Sequence, residues 1–131
     1  MSAPYADAAW AYFGAGWRGV IPLPPRAKTP PPAKFTGWAG IETTAEHVGM
    51  WVMGTEGNGN IGLHLGEGLY GLDVDAYEGK DGAAALAELV ARCGPLPATW
   101  TSTSRDDGNS GIRLFRAQLP AGRKWIDQPG G

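Results

Sequence analysis

The sequence predicts a mixed α/β or α+β domain, and three observations support that expectation. Apolar residues fall at helical spacing in three separate segments. Short runs rich in β-branched and aromatic residues lie between clusters of turn-forming Gly, Asn and Asp. Gly 21 and Pro 11 among 131 residues require many turns and short elements, so long helices should be few. The length is that of one domain, 1–131, with enough chain to bury a core and no second domain.

The first helix is expected over 5–13, where Ala8, Ala9, Tyr12 and Phe13 recur at helical spacing until Gly14 and Gly16 stop it. Gly19-Val20-Ile21-Pro22-Leu23 reads as a strand. Residues 24–38 form a Pro-rich loop, in which five prolines and three basic residues between Pro24 and Lys34 rule out regular structure. Thr43-Thr44-Ala45-Glu46 has the spacing of a capping box and opens a helix over 43–53, with Val48, Trp51 and Val52 on one face. Gly54 to Asn60 is a turn.

Ile61-Gly62-Leu63-His64-Leu65 alternates, Gly66-Glu67-Gly68 turns the chain and Leu69 to Asp75 returns, which predicts a hairpin. Leu86, Leu89, Val90 and Cys93 recur at i, i+3, i+4 and i+7, so a third helix is expected over 81–93. Asp81 would be its N-cap, Gly94-Pro95 would close it, and the four apolar residues, Cys93 included, would be core. A second hairpin joins Thr99–Ser104 to Ile112–Arg116 through a polar loop whose Asp106 and Asp107 read as solvated. Among the tryptophans, Trp10, Trp51 and Trp100 read as core, and Trp17 and Trp38, beside the Pro-rich loop, as surface contacts.

Composition excludes several classes. Eleven basic against thirteen acidic residues give a net charge of −2, so no global field draws the chain to nucleic acid and any such binding must be local. The lone Cys93 forms no intramolecular disulfide, no basic-then-apolar N-terminal segment marks a signal peptide, and no apolar run is long enough to cross a bilayer. A cytoplasmic protein without a membrane partner is expected.

Chemistry concentrates at Gly71-Leu72-Asp73-Val74-Asp75. On a strand, alternate side chains share a face, so Asp73 and Asp75 point one way while Leu72 and Val74 point into the opposite, buried layer. At roughly 7 Å between alternate Cα atoms, two acids repel unless a cation lies between them. The pair therefore asks for a metal. A strand ending in a solvated acidic turn would give the same letters, but acids that only decorate a surface sit more often in loops than on rigid strands. His64, on the preceding strand, is a possible second-layer partner of the pair or a satisfied half-buried histidine. On the return strand of the second hairpin Arg113 is offered from a rigid element, where it could fork onto a phosphate or, equally, pair at the strand edge with a surface acid. Ser110, Arg105 and Lys28 join it as candidate nucleotide- or phosphate-binding residues.

Together these segments resemble a known family. Asn60-Ile61-Gly62-Leu63, Gly71-Leu72-Asp73-Val74-Asp75, Leu96-Pro97-Ala98-Thr99-Trp100-Thr101-Ser102-Thr103-Ser104 and Ser110-Gly111-Ile112-Arg113-Leu114-Phe115-Arg116 resemble the N-terminal bifunctional primase/polymerase domain of the archaeo-eukaryotic primase superfamily, which occurs in plasmids, phages and integrated elements. The likeness covers nearly the whole chain, including Gly16-Trp17, Lys28 and Gly37-Trp38. It implies a primase catalytic core: a central mixed or antiparallel sheet with an RNA-recognition-motif-like half, flanked by helices. Asp73 and Asp75 match the family's metal-binding acidic pair, and Ser110 and Arg113 fall in its second motif, which contacts the phosphates of the incoming nucleotide. Many members carry histidine at the position matched by Arg113; arginine neutralises phosphate but cannot act as a neutral proton shuttle. The third motif, a further acid on a later strand, would lie beyond Gly131. Asp127, before a Pro-Gly-Gly terminus, does not take its place, so the likeness describes a domain cut short after two motifs.

The function implied is template-directed nucleotidyl transfer, with primer synthesis or DNA polymerisation from a (d)NTP bound with Mg²⁺ or Mn²⁺. Its partners would be the nucleotide, a single-stranded DNA template and a helicase. One alternative is an inactive remnant that keeps nucleotide or nucleic-acid binding. A lower one is a metal-dependent Asp-x-Asp glycosyltransferase, which explains the acidic pair but not the Ser110–Arg116 strand.

Overall fold

The computed structural model describes residues 2–37 and 39–118, so Trp38 and Asp127 lie outside the described residues. It has the mixed α+β composition expected, with helices and antiparallel sheets. Two compact units divide the chain after Glu67.

The first unit contains α1 (Pro4–Gly14), β1 (Gly19–Leu23), α2 (Ala45–Met53), a 3-10 turn (Thr55–Asn58) and β2 (Asn60–His64). Pro at the start of α1 has no N–H to leave unpaired and suits a first helical turn, and the chain leaves the helix through Gly16 at φ +96°. β1 and β2 pair antiparallel, from Gly19 opposite His64 to Leu23 opposite Asn60. The core is Tyr5, Ala9, Val20, Val48 and Trp51, with Phe13, Trp17, Phe35, Val52, Ile61 and Leu63 packed against it. Trp51 meets Tyr5 edge-on at 6.2 Å and Phe35 at 5.0 Å, geometries that aromatic quadrupoles favour.

The second unit contains β3 (Leu69–Val74), α3 (Gly82–Cys93), β4 (Thr101–Ser102) and β5 (Gly111–Arg116), with sheet order β3-β5-β4 and both pairings antiparallel. The hairpin expected for the second half of the sequence is present, although β4 is only two residues long. No helix among the described residues is long and apolar enough to cross a membrane.

Several expectations are corrected. The 61–65 and 69–75 runs do not form a hairpin: β2 pairs with β1, and β3 with β5. Turn chemistry at Gly66 and Gly68, both at positive φ, says that the chain bends there but not which strands bond across it. The capping box is one residue late: Thr44 is the N-cap, its hydroxyl accepting from His47 N–H while His47 Nδ1 accepts from Thr44 N–H. Thr43 instead turns inward, its hydroxyl accepting from Val20 N–H and donating to the Arg18 carbonyl, and so ties α2 to β1. Asp81 stands at the N-cap of α3 but makes no capping hydrogen bond. No residue of α3 is buried, and Cys93 is exposed, so the helix packs a half-buried face on β3 rather than a core stripe. Of the three tryptophans read as core, only Trp51 is; Trp10 is 45% exposed and Trp100 80%. Trp17, read as surface, is half-buried against the core.

Candidate functional site

The acidic pair stands where β3 ends. Val74 is buried at 5%, while Asp73, its neighbour on the alternate face, is exposed and Asp75 follows the last strand residue. Two hydrogen bonds to the main chain fix this segment, one from backbone and one from a side chain. The Asp75 carbonyl accepts from Gly82 N–H, at the start of α3, at 2.9 Å. The next N–H, that of Ala76, donates to Ser110 Oγ at 2.9 Å. A side chain at Gly82 would collide with the Asp75 backbone, so the approach of α3 to the acidic segment requires glycine.

Ser110 is itself held. Its hydroxyl donates to Asp107 Oδ2 at 2.6 Å, and Asp107 Oδ1 accepts the N–H groups of Asn109 and Ser110 at 2.8 and 2.6 Å. These hydrogen bonds, the Ser110 hydroxyl first, hold the Asp107 carboxyl below its ordinary pKa. Asp107, read as mere loop solvation, is thus the organiser of the loop between β4 and β5, in the side-chain-to-backbone turn that short acids favour.

The register separates two of the candidates. Asp73 lies opposite Ile112, and Leu72 opposite Arg113. Directly opposed residues share a face, so Arg113 is carried on the face of the three-stranded sheet that Asp73 does not use. Its guanidinium donates to the Asn109 carbonyl at 2.9 Å, bracing the same loop.

Around the acidic segment the structure gathers Arg105, a candidate from the sequence, with two residues that the sequence did not single out, Tyr77 and Lys80. Lys80 Nζ lies 3.8 Å from Asp75 Oδ2, 3.5 Å from the Tyr77 hydroxyl and 4.7 Å from the Tyr77 ring centroid. Lys80 holds its proton more tightly than an ordinary lysine, first through the Tyr77 hydrogen bond, with the Asp75 charge adding to it. The Arg105 guanidinium lies 3.5 Å over the same ring. Lys80 and Tyr77 carry no sequence signal because a tight turn, with Lys80 N–H donating to the Tyr77 carbonyl, brings them together.

Lys28 and His64 belong to the first unit. Lys28 is exposed in the Pro-rich loop. His64 Nε2–H donates to the Gly37 carbonyl at 3.0 Å, pinning that loop to β2.

Asp73 and Asp75 supply hard oxygen donors open to solvent. Such a pair suits Mg²⁺ or Mn²⁺, which take one or two protein carboxylates together with waters and substrate phosphates. Among the described residues no group of three or more His, Cys, Asp or Glu is placed to hold a metal ion.

A family model for the bifunctional DNA primase/polymerase N-terminal domain matches residues 9–130. No curated protein and no solved structure matches the chain.

Proposed function

Since the chain belongs to the bifunctional DNA primase/polymerase N-terminal family, we propose that it is a nucleotidyltransferase domain that builds or extends a primer on single-stranded DNA from a (d)NTP. The observation that carries this reading is the acidic pair at the end of β3, held by Gly82 N–H on the Asp75 carbonyl and by Ser110 Oγ on the next N–H. Rigid placement of two carboxylates is what phosphoryl transfer requires, since positioning and charge neutralisation supply most of the catalysis.

In the proposed reaction the primer 3′-oxygen forms a bond to the α-phosphorus, the α–β phosphoanhydride bond breaks and pyrophosphate leaves. The hydroxyl proton passes to solvent. Mg²⁺ or Mn²⁺ on Asp73 and Asp75 would supply charge neutralisation for the triphosphate and acidify the attacking hydroxyl. The chain's own part is positional: Ser110 and Asp107 fix the segment that bears Asp75, and Arg113 braces the loop that holds Ser110.

Primer synthesis and extension on an oligonucleotide template, with dNTPs and Mn²⁺, test the reading. Product that disappears with Asp73→Asn and Asp75→Asn supports it. No product at high protein concentration overturns the enzymatic reading in favour of a binding remnant, and preference for a sugar nucleotide over a dNTP would favour the glycosyltransferase.

A further inference from the structure

We infer that Tyr77, Lys80 and Arg105 form a phosphate clamp beside Asp75, in which the Tyr77 ring is the scaffold that orients two cations toward the triphosphate of a bound nucleotide. This rests on the nucleotide-binding reading above and adds to it the residues that would grip the anion.

The two cations come from separate segments. Lys80 ends the turn after β3, and Arg105 starts the loop between β4 and β5, where its own N–H donates to Thr103 Oγ1 at 3.0 Å. Both converge on one ring, with Lys80 Nζ at 4.7 Å and the Arg105 guanidinium carbon at 3.5 Å from its centroid. The ring quadrupole draws each cation, and two positive charges gathered on one ring make a natural seat for an anion beside them. Asp75 partly answers Lys80 at 3.8 Å. Arg105 feels the Asp107 carboxylate, whose pKa its charge helps to lower, but among the described residues its guanidinium makes no direct ion pair or hydrogen bond and rests on the ring.

A stacked guanidinium keeps its N–H donors at the edge of the plane. That edge is a fork matched to two oxygens of a phosphate, and stacking removes much of the side-chain freedom that would otherwise be lost on binding. Lys80 adds a compact charge, which serves phosphate without demanding a fixed geometry. With the carboxylate of Asp75 adjoining, one cluster offers oxygen donors for a metal and N–H donors for the phosphates that such a metal would carry.

The same chemistry would accept a phosphate of a DNA strand, so the test has two arms. Calorimetric titration of the whole chain with dATP, deoxyadenosine and oligo(dT) reads binding without turnover. We expect dATP to bind more tightly than deoxyadenosine, and Arg105→Ala to weaken dATP about tenfold. Lys80→Met should weaken it severalfold, and Tyr77→Leu about threefold although it leaves both charges in place. Tyr77→Phe, which keeps the ring, should stay near wild type. Equal dATP affinity in wild type, Arg105→Ala and Lys80→Met overturns the clamp even where primer synthesis succeeds. Loss confined to oligo(dT) overturns it in favour of a strand contact. Failed synthesis with intact, Arg105-dependent dATP binding sinks the enzymatic reading and leaves the clamp standing. Circular dichroism of each variant separates a lost contact from a lost fold.

Discussion

Ser110 and Ala76 are joined by a 2.9 Å hydrogen bond across 34 residues, which fastens the loop between β4 and β5 to the chain just beyond Asp75. Ser110 is 5% exposed and spends its hydroxyl proton on Asp107, so one small side chain serves two segments. Ser110→Ala leaves the Ala76 N–H without its acceptor. We expect a loss of about 1–3 kcal/mol, read by chemical denaturation, together with weakened nucleotide binding by the acidic segment.

The Asp107 turn should loosen in acid. Its carboxyl is held below the ordinary value of 3.8 in the folded chain, so its contribution is present above that value and is lost as pH falls through the lowered folded value. Amide resonances of Asn109 and Ser110 followed by NMR should move together below that pH, and Asp107→Asn should abolish the transition. Unchanged amide shifts down to acid unfolding would contradict the assignment of Asp107 as organiser.

The first unit should instead be sensitive to alkali. Tyr5 is fully buried, its hydroxyl donates to the Val20 carbonyl at 2.9 Å, and burial raises its pKa well above 10.0. The folded state keeps a proton that the unfolded state releases near 10.0, so this stabilisation is complete below that pH and declines above it. Tryptophan fluorescence should report a falling unfolding midpoint above about pH 10. Tyr5→Phe should cost about 1 kcal/mol at neutral pH and flatten that alkaline slope.

Asp73→Asn and Asp75→Asn preserve shape and remove charge. Each should lower Mn²⁺-dependent primer extension by about 100-fold or more while changing stability by less than about 0.5 kcal/mol, since both side chains are substantially solvated. Binding of Mn²⁺ in the presence of dATP, followed by electron paramagnetic resonance, should weaken in parallel.

Gly82→Ala places a methyl group against the Asp75 backbone. An overpacked contact of this kind costs about 1–3 kcal/mol. It should reduce nucleotide binding as well as stability, because the displaced backbone is the one that bears the acid. Gly79→Ala, which meets nothing nearby but stands at φ +77°, should lose stability through backbone strain alone.

What the sequence made legible follows from the range of the physics. The three helices were readable, at Pro4–Gly14, Ala45–Met53 and Gly82–Cys93, because helical spacing and stop residues are local. The step from exposed Asp73 to buried Val74 was readable for the same reason, but Asp75, expected on the same strand, falls just beyond the end of β3. Strand partners were not: Gly66-Glu67-Gly68 has hairpin composition, yet the bonds of β2 and β3 go to β1 and β5. The opposed placement of Asp73 and Arg113 is a property of register between two strands, which neither strand displays alone. Thr43 and Thr44 are interchangeable as letters, and only packing against Arg18 and Val20 decides which one caps α2. Lys80 and Arg105 meet on Tyr77 through two loops separated by α3, β4 and more than twenty residues of chain, beyond the reach of any spacing rule.

The pairing of Leu72 with Arg113 and of Asp73 with Ile112 makes the length of the β4–β5 connection a chemical setting. A slip of one residue in β5 would bring the guanidinium round to the acidic side and send an isoleucine the other way, with no substitution at all. Ser110 and Asp107 guard against that slip, since both would have to let go of their partners before the strand could move. A single inserted or deleted codon between Ser102 and Gly111 is therefore a larger change to this surface than most point mutations within it.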